Sequence, residues 1–416
     1  MQRIAAFLFV LFLATLPGGC ATATSPAPVS DARALPPQVK PSPAAATPTP
    51  AASTPEAGIP AAKTFPLAMA LPPEPLTTPQ GEGRTAHIAL LLPLNSASFG
   101  QPAEAVKQGA IAASLVQTPA VLPLQTYPTG DRVEDILSAY QQALQAGARI
   151  VVGPLTRNAV TALAKSGLVS VPTLALNFPE GDMPLPENFY LFGLTAEGEA
   201  RQIARLAFNE GRRTALTVTA NTMLAKRVQQ AFADAWRALG GTLVAQANVS
   251  ADRIQFPALH DKVLKHPVDM IFLAADADLG RLVRPYLDAN TPTYAVSMIY
   301  AGNREVNRNV DLNGVQFVEM PWFLQPDNPA VMIYPHAENF SIEQERLYAL
   351  GIDAFRLAVL LAQQRHVPEG SVLDGVTGQI SLFAHQFQRE MTVAQFERGE
   401  ALAIEFADPN RIGEQK

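Results

Sequence analysis

The stretch AHIALLLPLNSASFGQPAEAVKQGAIAASLVQ, residues 86–117, decides the fold. Its opening, His87–Leu92, is an apolar run too short to be a helix. A proline and a polar loop end it, and an alanine-rich segment with Pro102 in its first turn follows. An unbroken apolar strand feeding a proline-started helix is the first β-α step of a parallel sheet buried on both faces. The step repeats outward. The pattern predicts a strand at Val121–Gln125 and a helix at Val133–Ala146, with Asp131 and Glu134 as its capping pair. A strand at Arg149–Gly153, a helix at Thr156–Ser166 and a strand at Val171–Asn177 complete the run.

A break at Pro184–Gly193 separates this run from a second one. Helices are expected at Glu197–Asn209, Thr222–Leu239, Phe256–Lys265 and Asp276–Ala289. They alternate with strands at Thr214–Ala220, Thr242–Ala247, Val268–Ala274 and Thr293–Ser297. Two such runs make an α/β protein of two lobes, each a mostly parallel sheet with helices on both faces. Such lobes meet at a cleft outside the carboxyl ends of their strands. A late helix, Ile342–Gln364, is capped by Ser341 with Gln344 and is expected to return to the first lobe. Its apolar face is Leu347, Leu350, Phe355, Ala358 and Leu361. The expected boundaries are lobe I at 86–193 and 322–375, lobe II at 194–321 and 376–407, and a tail at 408–416.

The rest of the chain is of another kind. Of 36 prolines among 416 residues, 15 fall between Ala21 and Thr85, in a segment with four basic and four acidic residues. Few large apolar residues precede Phe65, so burial there cannot offset chain entropy. Residues 20–85 are expected to be a disordered tether, either a selected spacer or an unselected linker. The first nineteen residues hold Arg3 and a 13-residue apolar run, Ile4–Leu16. At about 1.5 Å per residue that run spans roughly 20 Å, short of a bilayer core of about 30 Å, and reads as an export signal. The chain's one cysteine, Cys20, follows Gly18 and Gly19. That placement resembles the bacterial lipobox, although Pro17 stands where leucine is usual. The resemblance implies an acylated Cys20 held in the lipid bilayer, and Ala21 in place of aspartate implies the outer membrane.

Composition also excludes functions. A net charge of −6 argues against a nucleic-acid partner. One cysteine excludes an internal disulfide framework and a cysteine-based zinc site. There is no GxSxG elbow, P-loop, HExxH or SxxK, and the six histidines show no metal-ligand spacing. No enzyme, cofactor or metal is expected. The candidate cleft residues are Asn95, Ser96 and Ser98 after the first strand, Gly153, Pro154 and Thr156 after the third, and the strand-end residues Asn177 and Asn221. Helix N-termini and hydroxyls there can hold an anion or a polar ligand; the plainer reading is a set of well-capped turns. Pro321-Trp322-Phe323 reads as a cleft hinge or an exposed anchor, or more plainly as a buried core tryptophan.

Several stretches in this order resemble a known family: IALLLPL (88–94) with the Phe99-Gly100 loop, IVVGPLTRNAV (150–160), VPTLALN (171–177), LYALGIDAFRLA (347–358), DGVTGQISLF (374–383) and AQFERGE (394–400). Over residues 86–407 the chain looks like the type 1 periplasmic-binding-protein fold, and more narrowly like the LppC/LpoA family of penicillin-binding-protein activators. The best-known members carry an N-terminal helical repeat domain where this chain has its Pro/Ala tether. The resemblance implies a lipid-anchored protein on the periplasmic face of the outer membrane. It would bind and activate a bifunctional, class A penicillin-binding protein in peptidoglycan synthesis. The alternative is a periplasmic receptor of the same fold for an amino-acid-like small molecule.

Overall fold

A computed structural model describes residues 85–117, 122–302, 306–337, 339–364 and 367–404. The export signal, Cys20, almost all of the tether and the tail lie outside the described residues. In the first run β1 (His87–Leu92) leads to α1 (Gly100–Val116), β2 (Leu124–Pro128), α2 (Val133–Ala146), β3 (Ala148–Val152), α3 (Arg157–Lys165), β4 (Thr173–Ala175) and β5 (Phe189–Leu191). The second run holds α4 (Ala196–Asn209), β6 (Thr214–Ala220), α5 (Met223–Ala238), β7 (Thr242–Val249), α6 (Phe256–Lys265), β8 (Met270–Ala274), α7 (Ala277–Val283), β9 (Thr293–Ala295), α8 (Val306–Asn309) and β10 (Val315–Glu319). The chain then returns through α9 (Pro321–Leu324) and α10 (Ile342–Gln363). It ends in β11 (Val372–Gly375), β12 (Gly378–Phe383), β13 (Gln386–Glu390), β14 (Thr392–Glu397) and β15 (Glu400–Ala403).

The strands form two sheets, ordered β11-β12-β13-β5-β4-β3-β1-β2 and β15-β14-β10-β9-β8-β6-β7. Each has the same five-strand parallel core with the second strand outside the first, so each places its strand-order reversal beside its first strand. Every residue of β1 and of β8 lies in the interior, as their unbroken apolar runs imply, whereas the edge strands β2 and β7 are partly exposed. The two-lobed α/β expectation holds.

Differences from the sequence reading have local causes. Residues 378–390 were expected in lobe II but belong to the first sheet. β12 folds back on β11 in a hairpin closed by the Gly375–Gly378 pair, and β13 continues antiparallel to it, so the chain leaves the first sheet only at Met391. Asp131 and Glu134 do not cap α2; its N-cap is Arg132, with no side-chain cap. The helix expected to Ala289 stops at Val283, where Pro285 tightens the next turn to a 3₁₀ helix. The short β5 fell within the expected break, since three residues are too few to show periodicity.

α10 carries the complete Ser341–Gln344 capping box. It is more than an amphipathic surface helix: residues Tyr348 to Val359 are all buried. It packs on α1 and β3, and its closeness to α1 has a simple cause. A Cβ at Gly109 of α1 would lie 1.9 Å from the Tyr348 carbonyl oxygen, and one at Gly351 of α10 would lie 2.0 Å from that of Val106. Each helix therefore offers a glycine to the other's backbone. Gly109→Ala and Gly351→Ala should each destabilise the protein by about 2–3 kcal/mol or more, as overpacking against unyielding backbone does. Gln108→Ala on the exposed face of α1 should change stability by less than about 0.5 kcal/mol. Urea denaturation of the three variants reads the difference.

Candidate functional site

The loops after β1, β3 and β4 lie at the carboxyl ends of strands adjacent in the first sheet, because β1 pairs with β3 and β3 with β4. Asn95 is exposed and its backbone N–H donates to the Thr129 carbonyl at 3.0 Å. Ser96 is buried, and its hydroxyl accepts from the backbone N–H groups of Ser98 at 3.2 Å and Phe99 at 2.9 Å. The amides at the entry to α1 are thus answered within the loop itself. Ser98 is exposed.

Gly153 holds a left-handed φ of 112°, and a Cβ there would lie 2.0 Å from the Leu91 carbonyl oxygen, so glycine is what lets β3 leave the sheet beside β1. The Gly153–Pro154 peptide is cis, and Pro154 is buried. Thr156 is the N-cap of α3 but its side chain makes no cap hydrogen bond. Asn177 turns inward, donating from Nδ2 to the Leu155 carbonyl at 3.0 Å and accepting from the Phe178 N–H at 2.9 Å. Asn221 belongs to the other sheet, exposed just beyond β6.

The structure therefore gathers seven of the eight candidates at one end of the first lobe, and Ser96 and Asn177 spend their polar groups on the loops. A depression of about 510 Å³ opens nearby, between the end of β2 and α2, lined by Asn95, Thr129, Asp135, Ser138 and Gln142 among others. Among the described residues, no group of three or more His, Cys, Asp or Glu could hold a metal ion. No helix among them is long and apolar enough to cross a membrane.

The sequence reading missed a different concentration of chemistry: buried charges where the chain passes between the sheets. Glu199 of α4 accepts from the Ser297 N–H at 3.0 Å and faces Arg389 of β13 at 3.8 Å. Burial pushes the Glu199 carboxyl up and the Arg389 guanidinium down, and each opposes the shift of the other. Arg346 of α10 donates from Nη2 to the carbonyls of Ser297 at 3.0 Å and Tyr300 at 3.1 Å, and to the fully buried carboxylate of Glu319. Burial works against the Arg346 charge, and Glu319, together with Glu199 and Glu343, more than offsets it.

Asp353 of α10, also fully buried, accepts from Arg356 at 3.0 Å, from the N–H groups of Val376 and Thr377 at 3.1 and 2.8 Å, and from the Thr377 hydroxyl at 2.7 Å. Trp322 resolves as core: it is 1% exposed, its indole N–H donates to Glu345 at 2.7 Å and its backbone N–H to the Val376 carbonyl at 3.0 Å. Only polar residues inside otherwise apolar stretches, such as Asp353 and Arg356 in a buried helix, could have signalled part of this network.

Comparison with known proteins agrees with the fold. A family model described as "LppC putative lipoprotein" matches residues 53–258 and 260–399. The penicillin-binding protein activator LpoA of Pantoea ananatis (strain LMG 20103) is 30% identical over 313 residues, covering 64% of this chain and 46% of that protein. The chain thus spans about half the length of the curated relatives it matches. The LpoA C-domain from Haemophilus influenzae, described as a regulator of PBP1A, superposes with a TM-score of 0.65 at 26% identity, over 76% of this chain and 99% of that structure. A "putative branched-chain amino acid ABC transporter" from Chromobacterium violaceum ATCC 12472 also superposes at 0.65, with 35% identity, over 75% of this chain and all of that one.

Asp353→Ala should cost about 3–5 kcal/mol, because it strands Arg356 and two backbone N–H groups in the interior. Glu134→Ala, which removes the exposed pair with Arg132, should cost no more than about 1 kcal/mol. Chemical denaturation of both variants measures the contrast.

Proposed function

The chain belongs to the LppC family, and from that premise we propose that it is an outer-membrane lipoprotein that binds and activates a class A penicillin-binding protein in peptidoglycan synthesis. The observation that carries this reading is the match to nearly the whole of the LpoA C-domain, a regulator of PBP1A. The inward-turned polar groups of Ser96 and Asn177 favour a scaffold whose carboxyl-end loops are built for their own stability.

The mechanism is regulatory and not catalytic. A domain that binds an active synthase conformation more tightly than an inactive one shifts the population toward activity, by no more than its differential affinity. Acylation of Cys20 would hold the domain at the membrane, since two or three acyl chains anchor firmly where one does not. The tether would set the effective concentration near a synthase within its reach.

A second reading is a small-molecule receptor, favoured by the likeness to the Chromobacterium violaceum protein. In that reading Asn95, Ser98, Thr156 and Asn221 would contribute the polar contacts of an interlobe cleft.

The full chain in detergent, titrated into a purified class A penicillin-binding protein from the same cell, should accelerate glycan polymerisation and peptide crosslinking to a plateau. Absence of both binding and acceleration would overturn the activator reading. A rise in melting temperature with an added amino acid, growing with its concentration, would then establish the receptor. Separately, Cys20→Ala should move the protein from the membrane fraction to the soluble periplasmic fraction; continued membrane fractionation would refute the lipid anchor.

A further inference from the structure

Proteins of two lobes open and close by changing backbone dihedrals at a few hinge residues. Here the chain crosses between sheets three times: from β5 to α4 at 192–195, from β10 to α9 at Met320, and from β13 to β14 at Met391. A freely bending hinge needs crossing residues whose backbone is not fixed by contacts to both lobes. At the second and third crossings buried side chains hold that backbone.

At the third crossing Gln202 of α4 grips Met391 with both ends of its amide. Nε2 donates to the Met391 carbonyl at 2.7 Å, and Oε1 accepts from the Met391 N–H at 3.0 Å; Gln202 is 4% exposed. At the second, Glu319 accepts from the Met320 N–H at 2.9 Å and from Arg346. Arg346 sits on α10, which packs on the first sheet, whereas its acceptors Ser297, Tyr300 and Glu319 all belong to the second lobe. The first crossing leads into α4, whose Glu199 binds Ser297 within its own lobe and faces Arg389 of the first sheet. Arg389 in turn donates to the Thr377 carbonyl at 3.2 Å.

We infer that this buried latch of Gln202, Glu199, Arg346, Glu319 and Arg389 pins the two lobes in one relative orientation, so the domain works as a fixed two-lobed platform and not as a clamp that closes on a ligand. Rotation about the crossings would separate Arg346 from three acceptors and unseat Gln202 from Met391. It would part the buried carboxylates of Glu199 and Glu319 from the guanidiniums of Arg389 and Arg346, leaving desolvated charges without their counter-ions. Exposed surface pairs do not latch in this way: Arg205 and Glu390 also bridge α4 and β13, at 3.0 Å, but both are about half exposed and screened by solvent. The inference does not depend on the activator reading. A rigid platform could present a surface to any partner, and a moving clamp could belong to an activator.

The test uses the full chain with Cys20→Ser, spin-labelled at Gln101→Cys on α1 and Lys226→Cys on α5, both exposed. Pulsed dipolar spectroscopy then reads the distance between the lobes. The expected result is one narrow population, unchanged by added amino acids. Gln202→Ala, a neutral change that leaves the ion pairs in place, and Arg346→Ala should each broaden it about twofold or add a second population. Arg205→Ala should leave it unchanged. Two populations in the unaltered latch, or a shift on adding an amino acid, would overturn the inference. So would an unbroadened distribution in a Gln202→Ala variant that still melts cooperatively.

Discussion

Where the chain passes between the two sheets at Met320 and Met391 it runs through an interior that excludes water, and much of the structure is arranged around answering the polar groups this creates. Backbone N–H and C=O groups at a crossing have no ladder partner, so side chains must supply one. Gln202 does so for Met391 and Glu319 for Met320, and Asp353 does the same for Val376 and Thr377 in the turn between β11 and β12. The carboxylates are themselves desolvated, and arginines on α10 and β13 pair with Glu319, Asp353 and Glu199. Such networks contribute little net stability but make alternative arrangements costly.

α10 is where these demands meet. One aspect of it must admit α1 to backbone contact, which Gly351 allows; others carry Arg346 to the second lobe and Asp353 and Arg356 to the hairpin of β11 and β12. A helix serving an apolar neighbour on one side and charges on the others is buried almost all round. Its apolar and polar residues therefore do not segregate into the single stripe of a surface helix.

The same economy bears on function. The polar groups that a receptor would aim at a ligand are, at Ser96 and Asn177, aimed at the protein's own loops. The domain's buried chemistry is concentrated at the lobe crossings instead. That distribution suits a domain recognised by its shape, and it fits membership of the LppC family and the likeness to a regulator of PBP1A.

By itself the sequence determined the class and most elements of the two alternating runs, though not β5 or the strands from β10 onward. Runs such as His87–Leu92 and Met270–Ala274 are legible because burial on both faces demands unbroken apolar residues, a local property. The capping box at Ser341 is legible because both its members lie within four residues. Only the tertiary structure decided which sheet took β12 and β13, that Gly109 and Gly351 meet, and that Glu199 faces Arg389 across 190 positions of sequence. Those outcomes depend on contacts between residues far apart in the chain, whose strength comes from the exclusion of water. Exclusion of water is a property of the assembled interior, and no local pattern records it.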